Sequence, residues 1–124
     1  GGTAVRMDRD RVKQVMINLL VNALEAIGQN GQVEIRHSQR VEKMDENQPP
    51  RTFVVTEVID NGPGIPPHWL DRIFDPFFTT KDSGTGLGLA LSNRIVEEHG
   101  GFLRVDSAPG EGTRFWVFLP LAES

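Results

Sequence analysis

Asn18 and Asn22 sit four residues apart in a run that is otherwise largely apolar, and burying a carboxamide costs free energy unless its donors and acceptor find partners. Such amides either face solvent or line a ligand groove. In a groove, the amide oxygen is a hard neutral ligand that Mg2+ accepts when phosphates and water complete its shell. Farther on, Asp60-Asn61-Gly62-Pro63-Gly64 places a carboxylate at the end of an apolar stretch, before a glycine turn. That carboxylate can accept a hydrogen bond from an exocyclic amine such as adenine's, while Gly62 and Gly64 let backbone approach a ring closely. The same residues also make an ordinary Asp-Asn-Gly turn. Gly84-Thr85-Gly86-Leu87-Gly88 leads into a helical pattern, where freed N–H groups and the helix dipole favour phosphate; a flexible connector has the same composition. It is neither a P-loop nor a dinucleotide fingerprint, lacking the Gly-Lys-Ser/Thr ending of the first and the strand and spacing of the second. The segment Phe74 to Lys81 supplies Phe74 and Phe77 as core candidates. Its Lys81, three residues before the glycine loop, can reach a terminal phosphate or simply face water.

These residues need elements to hold them. From Asp8 to Ile27, Val12, Val15, Met16, Leu19, Leu20, Ala23 and Ile27 recur at helical spacing, with Asp8 placed to cap and Gly28 to terminate. At about 100° per residue, Ile17, Val21 and Leu24 fall beside that stripe, so the helix is expected to be largely buried. The remaining polar arc is Arg11, Gln14, Asn18, Asn22 and Glu25. Val33 to Arg36 and Phe53 to Ile59 read as strands, separated by a charged, Pro-containing stretch from Glu42 to Arg51 suited to an exposed hairpin loop. A short helix is expected from Pro67 to Phe74 and another from about Leu89 to His99, ending at Gly100-Gly101. Phe102 to Val105 and Thr113 to Leu119 look like a hairpin around Pro109-Gly110-Glu111-Gly112. Together these predict an α/β fold: a two-layer sandwich with an antiparallel or mixed sheet and helices on one face.

The 124 residues fit one domain. Thirteen basic residues against 17 acidic give a formal charge of −4, which argues against general affinity for nucleic-acid backbone or anionic lipid. A phosphate-bearing ligand must then be held locally. The absence of cysteine excludes disulfides and thiolate metal sites. No apolar run reaches the length of a membrane span, and no segment has the layout of a signal peptide.

Taken in order, the Asn-bearing helix, Asp-Asn-Gly-Pro-Gly, Phe-Asp-Pro-Phe-Phe-Thr-Thr-Lys, Gly-Thr-Gly-Leu-Gly-Leu and a final Gly-Glu-Gly-Thr resemble the N, G1, F, G2 and G3 boxes of histidine kinase catalytic domains. These belong to a wider ATPase superfamily that includes DNA gyrase, a heat-shock chaperone and a mismatch-repair protein. The resemblance runs from about Asp8 to Pro120, and implies a Bergerat-type ATP-binding fold with a mixed, mostly antiparallel sheet. It implies ATP and Mg2+ as cofactors, Asn22 as the Mg2+ ligand and Asn18 as its companion near the phosphates. Asp60 is implied as the adenine reader, Gly62 and Gly64 as the floor of the base pocket, and Gly84, Gly86 and Gly88 as the phosphate-facing hinge. Thr80, Lys81, Thr85, Leu87 and Thr113 complete the nucleotide contacts that the boxes imply, with Asn18 and Lys81 as the catalytic pair. The Phe-Phe-Thr-Thr-Lys segment looks most like that of nitrogen-sensor kinases. Family domains often begin with one more strand and helix, so residues 1–124 are expected to be one catalytic domain lacking both.

Where the gyrase-like relatives carry a water-activating glutamate, the matching position is Asn18, and an amide cannot take a proton from water at neutral pH. The resemblance therefore implies phosphoryl transfer to an external nucleophile: a histidine on a dimerisation domain of the same protein, with a response regulator downstream. His37, His68 and His99 have no H-box context; His99 stands where it can cap the last helical carbonyls. Expected alongside are a cytoplasmic location, with a parent protein able to attach to the inner membrane, and no contact of this segment with nucleic acid or membrane. The competing readings are a protein-serine kinase of the anti-sigma type, a mitochondrial-type dehydrogenase kinase, an ATP-driven clamp like gyrase or the heat-shock chaperone, and an adaptor without nucleotide.

Overall fold

The hydrophobic stripe read from Asp8 to Ile27 becomes helix α1, Arg9–Ile27, in a computed structural model that describes residues 9–43, 45–70, 72–75 and 88–121. Asp8, the expected cap, lies outside those residues. Strands β1 (Val33–Glu42) and β2 (Arg51–Asp60) follow, then the single-turn helix α2 (Pro67–Leu70), helix α3 (Gly88–Glu98), and strands β3 (Phe102–Ser107) and β4 (Thr113–Pro120). The four strands form one sheet in the order β1-β2-β4-β3, and every pairing is antiparallel. Two hairpins are thus joined by the β2-β4 pairing, whose register sets Asp60 opposite Thr113 and Val58 opposite Phe115.

Alternate residues of a strand face opposite sides of the sheet. On one side Val58, Phe115, Val117 and Leu119 meet Val15, Leu19 and Ala23 of α1 and Ile95 and Val96 of α3, forming the main core. On the other side Phe53, Val55 and Phe118 make a small second cluster. There Phe102 stacks on Phe118 with ring centroids 4.4 Å apart, and Phe53 meets both rings edge-on. The Arg104 guanidinium lies 4.9 Å above the Phe118 ring, so a cation covers the aromatic patch, with no second helical layer among the described residues.

The expected burial of α1 is only partly met. Val15, Leu19 and Ala23 are buried, but Ile17, Val21 and Leu24 are 51%, 45% and 56% exposed. A helix in a two-layer fold is covered where it meets the sheet and its neighbouring helix, and these three residues occupy the remaining sector. β1 extends past Arg36 to Glu42 with almost every side chain exposed, so no apolar alternation marks its second half. The helix expected from Pro67 to Phe74 shortens to α2. Beyond it, the amides of Arg72 and Asp75 donate to the carbonyls of Trp69 and Arg72, each three residues back, as in the tighter turns that run on from helix ends. At the end of α3, the buried His99 donates from Nδ1 to the Ile95 carbonyl at 2.7 Å, the capping role its position suggests.

Candidate functional site

Asp60 ends β2 and is 5% exposed. Its Oδ1 accepts the Gly62 amide at 2.9 Å, and the Thr113 backbone amide, opposite it in the register, is a second donor. Burial pushes the Asp60 carboxyl above its ordinary value, and the two amides partly offset that shift. The fold therefore holds an acceptor away from bulk water at the rim of the sheet.

The turn after Asp60 is fastened on both sides. Asn61 Oδ1 accepts the Gln32 amide at 2.7 Å and the Asn61 amide donates to the Gln32 carbonyl. On the other flank the Gly110 amide donates to the Pro63 carbonyl at 2.7 Å. The Ser107 hydroxyl accepts from the Ile65 amide at 2.7 Å, donates to the Gly112 carbonyl and lies 2.9 Å from the Thr113 hydroxyl. Sequence reasoning misses Ser107; its one cue is a lone serine just before the Ala-Pro-Gly turn. Gly62 packs so closely that a Cβ there would stand 2.9 Å from the Ala26 carbonyl oxygen. The glycine turn thus abuts the last turn of α1. Gly64 lies against the Ala108 backbone, so the fold draws Asp60, Gly62, Gly64 and Thr113 together. A cleft of about 200 Å3 opens beside Asp60, lined by Asp106, Ser107, Glu111, Thr113 and Arg114. It includes neither Asn18 nor Asn22.

Those asparagines lie two turns and one turn back from Ala26 along α1, so the stretch from Gly62 to Asn18 spans about 12 Å of helix axis. Both are half-buried. Gln14 Nε2 donates to Asn18 Oδ1 at 2.8 Å, and Asn18 Nδ2 donates to the Ser92 hydroxyl of α3 at 3.2 Å. One end of the polar stripe is therefore bounded by the Asp60 turn and the other by α3. Arg11 extends the α3 contact through an ion pair with Glu98 at 2.8 Å; with Arg94 as the larger influence, the Glu98 carboxyl is held below its ordinary value. Gly88 is the first residue of α3. Thr80, Lys81, Gly84, Thr85, Gly86 and Leu87 lie outside the described residues. Among the described residues there is no group of three or more His, Cys, Asp or Glu able to hold a metal. A divalent cation would here depend on phosphate oxygens, water and an amide oxygen, which Mg2+ accepts.

The raised Asp60 value has opposite consequences for ligand and fold. With the folded-state value above the unfolded one, the folded protein binds the proton more tightly. This group's contribution to stability therefore falls as pH rises from 3.8 through the raised value, then stays constant. A ligand that needs the carboxylate as acceptor is lost in the other direction. Its affinity should begin to fall, on acidification, at a higher pH than for an exposed aspartate, and titration calorimetry across that range checks it; affinity flat down to about pH 4, the ordinary aspartate value, would contradict it.

The family model for histidine kinase-, DNA gyrase B- and HSP90-like ATPases matches residues 7–123. The chain is 43% identical over 117 residues to the sensor histidine kinase ZraS of Escherichia coli O157:H7, covering 94% of this chain and 23% of that protein. It is 43% identical over 119 residues to the sensory histidine kinase/phosphatase NtrB of Rhodobacter capsulatus, covering 93% of this chain and 33% of that protein. Among solved structures, the nucleotide-free catalytic domain of histidine kinase ThkA superposes with a TM-score of 0.71 at 41% identity, over 92% of this chain and 68% of that one. The chain therefore spans a third or less of the length of these two sensor kinases.

Proposed function

Since the chain belongs to the family of histidine kinase-, DNA gyrase B- and HSP90-like ATPases, we propose that it binds ATP with Mg2+ and presents the γ-phosphate to a histidine on a dimerisation domain of its parent protein. The base would sit at Asp60, whose buried carboxylate accepts the exocyclic amine of adenine, with Gly62 and Gly64 beneath the ring. Asn22 would supply the amide oxygen to Mg2+, which when bound neutralises phosphate charge. Asn18 would stand by the terminal phosphates with Lys81. Thr80, Gly84, Thr85, Gly86, Leu87 and Gly88 would close over the phosphates, and Thr113 holds Asp60 from the opposite strand.

The observation that carries this reading over a hydrolytic one is Asn18 itself. Its carboxamide is engaged by Gln14 and Ser92, and it can donate and accept but cannot deprotonate water. Transfer to imidazole needs no such base. The ring nitrogen's lone pair forms the bond to phosphorus, the bond from phosphorus to ADP breaks with its electron pair leaving on ADP, and the surplus ring proton passes to solvent. What remains is positioning and charge neutralisation. A response regulator would receive the phosphoryl group downstream. The site would work in the cytoplasm; no described helix is long and apolar enough to cross a membrane.

The test is labelled ATP mixed with this chain and a histidine-bearing dimerisation domain. An acid-labile, base-stable phosphoprotein is expected; an acid-stable one would assign the chain to the serine kinases. For the metal, Asn22→Ala should weaken ATP affinity about tenfold with Mg2+ present and less than about twofold in EDTA, the scale of one hydrogen-bonded or ligating group. Equal losses in both conditions would mean that Asn22 supports the fold and does not hold the metal.

A further inference from the structure

Ser92 is 0% exposed, on the face of α3 that also buries Ile95, Val96 and His99. A hydroxyl inside an apolar interface costs free energy unless it is hydrogen-bonded. Alanine would fill the same space more cheaply. Among its contacts is one that crosses between helices, the bond accepted from Asn18 Nδ2 at 3.2 Å. Asn18 Oδ1 is engaged as well, by Gln14 at 2.8 Å.

The last torsion of an asparagine is broad when the side chain is free. With a partner at each end, the amide plane of Asn18 cannot turn without breaking a bond. The two partners differ in kind. Gln14 is exposed and rides on α1 with Asn18, so its bond says nothing about the rest of the molecule. Ser92 belongs to α3, one turn past Gly88, where the glycine-rich stretch of the sequence passes into helix.

We propose that Ser92 is a positioning residue for phosphoryl transfer: its buried hydroxyl sets the amide plane of Asn18 and ties that orientation to the placement of α3. The proposal rests on the kinase reading above. Because transfer depends on geometry, and a misplacement of about 1 Å costs on the order of 100-fold, an amide free to rotate slows the chemical step more than it weakens ATP binding. Asn18 thus carries the placement of α3 to the phosphate end of the groove.

The test uses Ser92→Ala with Mg·ATP and the histidine-bearing domain, beside side-chain amide NMR of Asn18. Loss of one hydrogen bond predicts a fall in kcat of about five- to tenfold with KM for ATP changed less than about twofold. The Asn18 side-chain amide resonances should shift and broaden. The Ser92→Ala/Asn18→Ala double variant should lose no more activity relative to wild type than Asn18→Ala alone, because the two act as a unit. Ser92→Cys, similar in size and a weaker hydrogen-bonding group, should fall between serine and alanine, and it serves if the alanine variant does not fold. A rise in KM at constant kcat, effects that multiply in the double variant, or unmoved Asn18 resonances would each overturn the proposal. Wild-type protein that binds Mg·ATP and phosphorylates no histidine would overturn the kinase reading instead, and the resonances would still decide whether Ser92 holds Asn18.

Discussion

Asp60→Asn is expected to weaken adenine nucleotide binding by about 30- to 150-fold, the equivalent of about 2 to 3 kcal/mol for a buried hydrogen bond to a charged group. The carboxylate already faces two amide donors, from Gly62 and Thr113, and still has acceptor capacity for a third. An asparagine has one acceptor oxygen and an NH2 group. If the oxygen stays with the backbone amides, the NH2 meets the exocyclic amine of adenine, donor against donor. If it turns toward the base, the NH2 confronts a backbone N–H. Either arrangement leaves a buried donor unmatched. Calorimetry with Mg·ATP measures the loss, and a circular dichroism melt shows whether the fold survives. A Kd within about threefold of wild type would remove Asp60 from the adenine role.

Gly112→Ala is expected to cost about 3 kcal/mol of stability and to abolish nucleotide binding with it. Gly112 has a φ of 80°, and an added Cβ would overlap the Asp60 carbonyl oxygen and come within 3.1 Å of Asn61 Cα. Both obstacles are backbone, pinned by the β2-β4 pairing on one side and the Gln32 contacts on the other. Gly110 is the internal control. Its φ is 79°, yet nothing lies within 4 Å of the point where a Cβ would stand, so Gly110→Ala should cost only the left-handed strain, about 1 kcal/mol. Urea unfolding of both variants separates crowding from backbone strain; equal losses would show that the closeness of Gly112 to Asp60 does not matter.

Much of this is readable from residue order. The 3.6-residue stripe places α1 within a residue of its described start, and Pro109 to Gly112 mark the β3-β4 turn because glycine and proline there have few other uses. The second half of β1 is not readable. His37 to Glu42 is an exposed strand, and without burial on one face alternation has nothing to select. The exposure of Ile17, Val21 and Leu24 is equally hidden, since periodicity shows which residues share a face and not how many faces the tertiary fold covers. At the site, Asp60, Gly62 and Gly64 can be named because turn chemistry is local, whereas Thr113, which meets Asp60 across the sheet, is implied only by the resemblance of its Gly-Glu-Gly-Thr segment. Ser107 and Ser92 cannot, because each acts through a partner distant in sequence. For Ser92 there is still a trace: a hydroxyl three, four and seven residues before Ile95, Val96 and His99, in line with the face that is buried.

The β2-β4 pairing also bears on how the protein reaches its native state. Each hairpin closes a short loop, which is fast and inexpensive in chain entropy, whereas β2 and β4 come from distant parts of the chain. Asp60 and Thr113 face each other across that least local pairing. A chain with both hairpins formed and not yet joined has most of its strand content and no base pocket. A nucleotide that binds only the joined form therefore stabilises that form by mass action and shifts the folding equilibrium toward the joined sheet.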